Sequence, residues 1–413
     1  MIKNGYKYLL GREKNQVSVK MKSLSILSLF AIIIGISFPI VSGKNIICYF
    51  ASWTVYRSSY GKFDVSNIDP SLCTHFNFAF IGLNEDASIH ILDSWESDAQ
   101  GGYEGFKHLV ALKQQNPDLK ICVSMGGWNE GSKTYSKVAA DPEKRATLAQ
   151  NVLKFIKEWG FDGFDLDWEY PTRRGGNDID KDDLTELLKE LHNVLHPEGY
   201  LLSIAAAGGY DKIIPGYDIP AINEVVDMIN VMVFDFHGAF EYDVGHLSPL
   251  YAADVDRLYH DNITYNVDFG IQTWLNLGSV PEKINLGLVF YSRTFTLADN
   301  RNTSLYAPIK GPGKAGPYTN QEGYLGYHEI CEFHLNSSTY VWDEEQLVPH
   351  IYWDDQWAGF EDPRSLTEKV KYAIDNELGG VMIWSLDYDD FRGRCGKKYL
   401  LLETVNSVLK EYS

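Results

Sequence analysis

Three of the four carboxylates in one short segment, Phe161-Asp-Gly-Phe-Asp-Leu-Asp-Trp-Glu-Tyr-Pro171, are the residues best suited to proton chemistry. In an extended strand Asp165, Asp167 and Glu169 turn to one face, spaced by about 6.6 Å per two residues, while Phe164, Leu166 and Trp168 turn to the other. A solvated edge strand has no reason to alternate acids with three large apolar side chains. Unpaired buried charge is heavily penalised, so the acidic face must be a partnered interior or the mouth of a cleft. Two adjacent acids cannot both ionise cheaply, so Asp165 and Asp167 are expected to share a proton. That pair would hold Glu169 protonated until it donates. A general acid backed by a proton-sharing pair suits cleavage of an acetal. Because all three acids approach from one side, a nucleophile supplied by the substrate is favoured over the usual two flanking carboxylates.

The surrounding chain alternates apolar runs with amphipathic stretches. The runs cover residues 46–50, 74–80, 120–127, 160–170, 201–207, 228–236, 284–292 and 379–387. Between the fourth and fifth, Leu184, Leu187, Leu188, Leu191, Val194 and Leu195 recur on one helical face, behind Asp182 and Asp183 at the helix start. Continuous apolar strands alternating with such helices imply a parallel sheet covered by helices. Eight repeats predict an α/β fold, a closed (β/α)8 TIM barrel over 44–413, with Glu169 at the carboxyl end of strand four, where barrel enzymes build their sites. Residues 291–356, rich in Gly, Pro and aromatics, break the rhythm and are expected to form a small α+β insertion between strand 7 and helix 7.

The net charge of −19 lacks the basic footprint of a nucleic-acid binder and repels polyanions, which leaves neutral or cationic ligands. The aromatic content is enough to fill a core and still line a cleft. Residues 24–41 form the one long apolar run, preceded by Lys20 and Lys22 and followed by Ser42 and Gly43, the layout of a secretory signal peptide. Met21 begins the more ordinary signal, so residues 1–20 read as an upstream extension. A signal anchor is the competing reading, and Pro39 with the small residues after it favours cleavage. Removal of residues 1–43 leaves a net charge of −24. A secreted, extracellular chain with no membrane attachment permits disulfides, and five cysteines allow two bridges and one free thiol, with Cys122 in a buried run as the free one. Asn262, Asn302 and Asn336 are then glycosylation acceptors.

Other signals are set aside. Gly311-Pro-Gly-Lys-Ala-Gly316 satisfies a dinucleotide-binding pattern literally, but it lacks the strand before and the helix after that such a loop needs. His192 and His196 lack the Glu of a zinc helix and precede Pro197, and the acidic run 177–186 lacks the glycine of a calcium loop. No metal and no cofactor is expected.

The segment 161–171 resembles the signature of the family-18 glycoside hydrolases, the chitinases and chitinase-like lectins of arthropod type. CYFASW at 48–53, SMGGW at 124–128, MVFDFHG at 232–238, GLVFYSR at 287–293, DDQWAGF at 354–360 and GGVMIWSLDYDD at 379–390 follow in family order. The resemblance implies a retaining endo-hydrolase of β-1,4-linked N-acetylglucosamine polymers, acting as a monomer on chitin or chito-oligosaccharides. It implies that Glu169 protonates the glycosidic oxygen while the sugar's acetamido oxygen attacks C1, that Asp167 turns to the acetamido N–H, and that Asp165 shares its proton. It assigns Asp235 and Tyr291 to holding the distorted sugar and Trp384 to the floor beneath it. Tyr49, Trp53, Phe80, Trp128, Trp357 and Arg293 are implied to line the cleft, with Gly126, Gly127, Tyr170, Met232 and Phe234 among the substrate contacts. Cys48–Cys73 and Cys331–Cys395 are the implied bridges.

One departure bears on chemistry. The family's Met-x-Tyr-Asp reads Met232-Val233-Phe234-Asp235 here, so the phenol that donates to the acetamido oxygen is missing. Loss of one donor aimed at a transition-state oxygen costs around 10² to 10³ in rate. Ser292 after Tyr291 and Leu247 are smaller departures. Together they support a second expectation, a slow or inactive chitin-binding lectin, against which stands the terminal Glu169.

Overall fold

The computed structural model describes residues 43–97, 101–259 and 263–412. The expected N-terminal extension and signal peptide, and Asn262, lie outside the described residues. Fifteen strands occur among the described residues: β1 Asn45–Ala51, β2 His75–Leu83, β3 Ile89–His90, β4 Lys120–Gly126, β5 Gly163–Asp167, β6 Leu201–Ala207, β7 Met228–Met232, β8 Ile284–Val289, β9 Tyr291–Leu297, β10 Ile309–Pro312, β11 Tyr324–Gly326, β12 Thr339–Asp343, β13 Val348–Trp353, β14 Gln356–Gly359 and β15 Gly380–Trp384. The parallel order β1-β15-β8-β7-β6-β5-β4-β2 closes on itself through the β1–β2 pairing, giving the eight-stranded TIM barrel. Each of the eight apolar runs supplies one barrel strand. The carboxylate strand stops at Asp167, so Trp168 and Glu169 lie just beyond the ladder at the barrel mouth.

Helices cover the barrel for the reasons their sequences give. Pro142–Trp159 starts with Asp141 accepting from the Glu143 and Lys144 amides and Pro142 at its first position, and ends at Gly160 with φ 77°. Asp180–Leu195 buries Leu184, Leu187, Leu188, Leu191 and Leu195 against the strands. The repeat is broken once: the chain after β1 makes three short 3₁₀ turns, at Ser52–Tyr56, Ser59–Gly61 and Val65–Asn67, where the other repeats have α-helices. None of the helices among the described residues is long and apolar enough to cross a membrane.

The insertion is a six-stranded sheet in the order β10-β9-β14-β13-β12, with β11 also on β9. Its boundary moves from 356 to 359, because β14 is needed to pair with β9 over Thr296 to Arg293. Only Phe290 separates β8 from β9, so the barrel strand hands the chain directly to the sheet and carries Tyr291 and Arg293 to the mouth. The strand β10 does lead into Gly311–Gly316, but it is an antiparallel insertion strand and turns follow it. Disulfides join Cys48 to Cys73 and Cys331 to Cys395, and Cys122 is free and buried.

Two polar clusters are buried here. Lys369, on the helix Pro363–Asp375, donates to the Ser248 carbonyl and hydroxyl and pairs with Glu361, while the Ser248 hydroxyl donates to the Val233 carbonyl at 2.8 Å. This cluster ties the loop after β7 to the barrel wall. The second packs His246 and His350 with ring centroids 5.3 Å apart, both against Trp357. Neither nitrogen of His246 nor Nδ1 of His350 has a hydrogen-bond partner, and Asp343 lies 3.9 Å from His246.

Burial pushes His246 well below the usual histidine range, helped by the charges of His350, His237 and Lys369, and burial alone lowers His350 to about 4. The unfolded chain therefore binds more protons than the folded one below the ordinary histidine value of about 6.5. This contribution to stability is complete above about 6.5 and is lost as pH falls toward about 4. Replacing His350 with Phe removes its share: the gap in thermal midpoint between wild type and His350→Phe should move in the variant's favour across that window, and a gap independent of pH contradicts it.

Candidate active site

The parallel register around β5 decides what surrounds the deepest acid. Asp165 stands opposite Ser124 on β4 and Ser203 on β6. Its Oδ2 accepts from the Tyr49 phenol at 2.7 Å and the Ser124 hydroxyl at 2.7 Å; its Oδ1 accepts from the Ser203 hydroxyl at 2.6 Å and the Asn230 amide at 3.3 Å. Burial pushes the carboxyl up and these four donors pull against it. Burial, then the charges of Asp165 and Asp167, holds the Tyr49 phenol well above its usual range, so it remains a donor.

Asp167 has no comparable support. Its Oδ1 is buried without a hydrogen-bond partner. Burial, then the charges of Glu169 and Asp165, pushes its carboxyl well above the usual range. Of the two acids expected to share a proton, Asp165 has donors on both oxygens and Asp167 has none on Oδ1, so the surroundings favour the charged form at Asp165 and the neutral form at Asp167. The close approach that allows this stack is made by glycine. A Cβ at Gly126 (φ +124°) would stand 2.0 Å from the Asp167 carbonyl, and one at Gly127 (φ +85°) 2.6 Å from the Phe80 ring. The Gly127 amide donates to that Asp167 carbonyl at 2.9 Å.

Glu169 lies at the surface end of the stack. Burial raises its carboxyl to about 7 against the lowering effects of the Tyr170 hydroxyl and the Arg174 guanidinium. Arg174 also donates to the carbonyls of Trp128 (2.6 Å) and Glu169 (3.2 Å) and lies over the Trp128 indole, 3.6 Å from its centroid. The loop holding Arg174 is fixed by Asp180, fully buried, which accepts from the Thr172 and Asn177 amides and from Ser136. The acidic run read as a charged helix start therefore supplies a loop clamp as well.

An aromatic trough opens beside these acids. Phe80 stacks on Trp53 and Trp384 at 6.1 and 5.7 Å, and Tyr49 meets Trp384 edge-on. Trp53 and Trp128 are exposed, and Phe80, Met232, Phe234 and Trp384 half-buried. Across the mouth Arg293 makes a two-pronged pair with Asp235, 2.7 Å at each contact, and lies over Tyr324. Tyr291 is buried beside this pair. Two readings need correction. Trp357 does not line the cleft: it is wholly buried among Phe295, Leu297, Val244 and Ala307, its indole N–H bound to the Thr303 carbonyl, because β14 turns it into the insertion's core. Tyr49 lies beneath the trough as a donor to Asp165, with 1% exposure.

The sequence reading missed Arg174, Ser124, Ser203, Asn230 and Phe240; the last is exposed beside Arg293. Ser124 and Ser203 were visible as lone hydroxyls in apolar strands next to the acidic one. Among the described residues the one group with metal-ligating side chains is Cys331, Asp390 and Cys395, where the cysteines form a disulfide and Asp390 accepts from the Arg394 and Cys395 amides. That donor set does not fit a metal.

A carboxylate served by four donors, a second acid above it with no donor on Oδ1 and a carboxyl raised to about 7 at the tip lie beside an aromatic trough at the barrel mouth. The chain belongs to the glycosyl hydrolases of family 18, which it matches over residues 45–389. It is 38% identical over 373 residues to "Probable chitinase 2" of Drosophila melanogaster, covering 85% of this chain and 73% of the relative. Among solved structures it is similar to the Ostrinia furnacalis group IV chitinase in complex with allosamidin (TM-score 0.86, 40% identity, 90% of this chain and 100% of the other). It is also similar to human YKL-39, described as a pseudo-chitinase with retained chitooligosaccharide binding properties (TM-score 0.82, 33% identity, 89% and 100%).

Arg174 lowers the Glu169 carboxyl, so its removal must raise it. In Arg174→Gln the titration of Glu169, followed by ¹³C resonance of its carboxyl, should move above that of wild type. An unchanged midpoint would show that the guanidinium acts on the backbone alone.

Proposed function

We propose that this protein is a secreted chitinase that hydrolyses β-1,4-linked N-acetylglucosamine polymers or oligomers with retention, through participation of the substrate's own acetamido group. The observation that carries the reading is the Glu169 carboxyl, held by burial at about 7 at the mouth of the trough, where it is protonated at mildly acidic pH and can donate to a glycosidic oxygen. Asp167, neutral and without a partner, is free to turn toward the acetamido N–H. So turned, Asp167 stabilises the positive charge of the cyclic oxazolinium intermediate, and Asp165 behind it shares its proton. Trp384 is the floor on which the reacting sugar stacks, and Trp53, Phe80 and Trp128 extend the stacking surface. Asp235, paired to Arg293, and Tyr291 hold the sugar in its distorted form. The acetamido oxygen is the nucleophile in this account, which is why no carboxylate is needed on the opposite face.

A second reading has one observation in its favour. Phe234 half-faces the site with no hydroxyl to offer the acetamido oxygen, and a relative of similar fold is described as a pseudo-chitinase that retains oligosaccharide binding. On that reading the cleft binds chito-oligosaccharides and turns them over slowly or not at all.

Hydrolysis of a fluorogenic chito-oligosaccharide separates the two. Wild type should be active, with kcat falling as pH rises through about 7 when Glu169 ionises, and Glu169→Gln should lose about 10² to 10⁴ of the rate; equal inertness of both, with binding intact, makes the protein a lectin. Phe234→Tyr should raise kcat by up to about 10². No gain in an active protein would show that another group already serves the acetamido oxygen.

A further inference from the structure

The barrel interior contains a polar feature that proton donation and sugar stacking leave unused. Asn230 and Asn285 are both wholly buried, one on β7 and one on β8, side by side in the parallel register. The Asn285 amide donates to the Asn230 carbonyl oxygen at 2.9 Å, and the Asn230 amide donates to Asp165 Oδ1 at 3.3 Å. From the barrel floor the Asn45 amide, on β1, reaches the Asn285 oxygen at 3.4 Å. A line of three side-chain amides therefore runs through the core and ends on the buried carboxylate.

Its direction is dictated. An ionised Asp165 only accepts, so Asn230 must face it with its NH2, which turns the Asn230 oxygen away. A buried amide oxygen needs a donor, and Asn285 supplies it only by presenting its own NH2, leaving its oxygen for Asn45. Every dipole in the line then points its positive end at Asp165, and each bond polarises the next. If Asn285 were apolar, the Asn230 oxygen would be stranded, and a flip that satisfied nothing else would place that oxygen against the carboxylate.

We propose that Asn285, braced by Asn45, is a positioning residue of this active site: it locks the orientation of Asn230 and thereby keeps Asp165 the anion of the carboxylate stack. The inference rests on the chitinase reading for its kinetic form only. The groups that face Asp165 are Tyr49 from β1, Ser124 and Cys122 from β4, Ser203 from β6, Asn230 from β7 and Asp167 on its own strand. Burial holds the Tyr49 phenol and the Cys122 thiol protonated, so a second proton entering this group as pH falls goes to Asp165.

The test is Asn285→Leu, nearly the same volume without the amide, in the full chain. Weaker support for the anion lets Asp165 take that proton at higher pH. The acid limb of kcat should move upward while the limb near neutrality, set by Glu169, stays in place. At the optimum kcat should fall about tenfold, as expected for one lost hydrogen bond felt by a buried charge, with KM unchanged. Asn45→Ala, at the partly exposed end of the line, should shift the same limb in the same direction by less, and it serves if the leucine variant fails to fold. The ¹³C titration of the Asp165 carboxyl should follow the same shift and reads the effect even in a protein without turnover, so failure of the chitinase reading is told apart from failure of this one. An unmoved acid limb and unmoved Asp165 titration in a folded variant, or a uniform loss at all pH values that tracks thermal stability, would overturn it.

Discussion

The solvation of Asp165 by protein groups is the constraint around which the barrel interior is arranged. An anion in a fully buried position costs far more than it contributes unless its lone pairs are filled. Here they are filled by hydroxyls and an amide from β1, β4, β6 and β7. Those positions cannot be given to the branched aliphatics that fill most barrel cores, so one side of the interior is polar and the apolar packing is displaced to Ile47, Ala79, Met228 and Met382. A charge on Asp167 above Asp165 is disfavoured by burial first, then by the charges of Glu169 and Asp165 itself.

The mouth is positioned by connections that reach past the barrel. Because β8 passes into β9 with one residue between, the insertion sheet is continuous with the wall and sets Arg293 opposite Asp235. Asp235 itself takes a left-handed backbone, φ 56°, a conformation that costs a non-glycine residue free energy and persists only where its surroundings insist on it. The two-pronged pair with Arg293 and the Lys369–Ser248–Val233 cluster supply that insistence from either side.

Much of this was legible in the sequence, for a physical reason: parallel strands buried on both faces must be apolar throughout, so eight such runs stand out, and the acids stand out against them. The alternation in 163–169 alone places three carboxylates on one face. What stayed hidden depends on pairing. Whether a lone Asn in an apolar strand, such as Asn230 or Asn285, meets a partner is decided by strand register, although two such residues in core strands were a signal that something polar had to be served. Trp357 was misplaced because an aromatic beside a turn can face the cleft or the insertion's own core, and only the β14–β9 pairing decides. The end of the insertion moved by three residues for the same reason.

The account stands on where the proton resides in the resting protein. Infrared difference spectroscopy between wild type and Asp167→Asn at neutral pH reads it directly. A protonated-carboxyl band present in wild type and lost in the variant is the predicted result. If the variant loses only an ionised-carboxylate band, Asp167 is charged at rest, and the division of labour between Asp165 and Asp167 is contradicted.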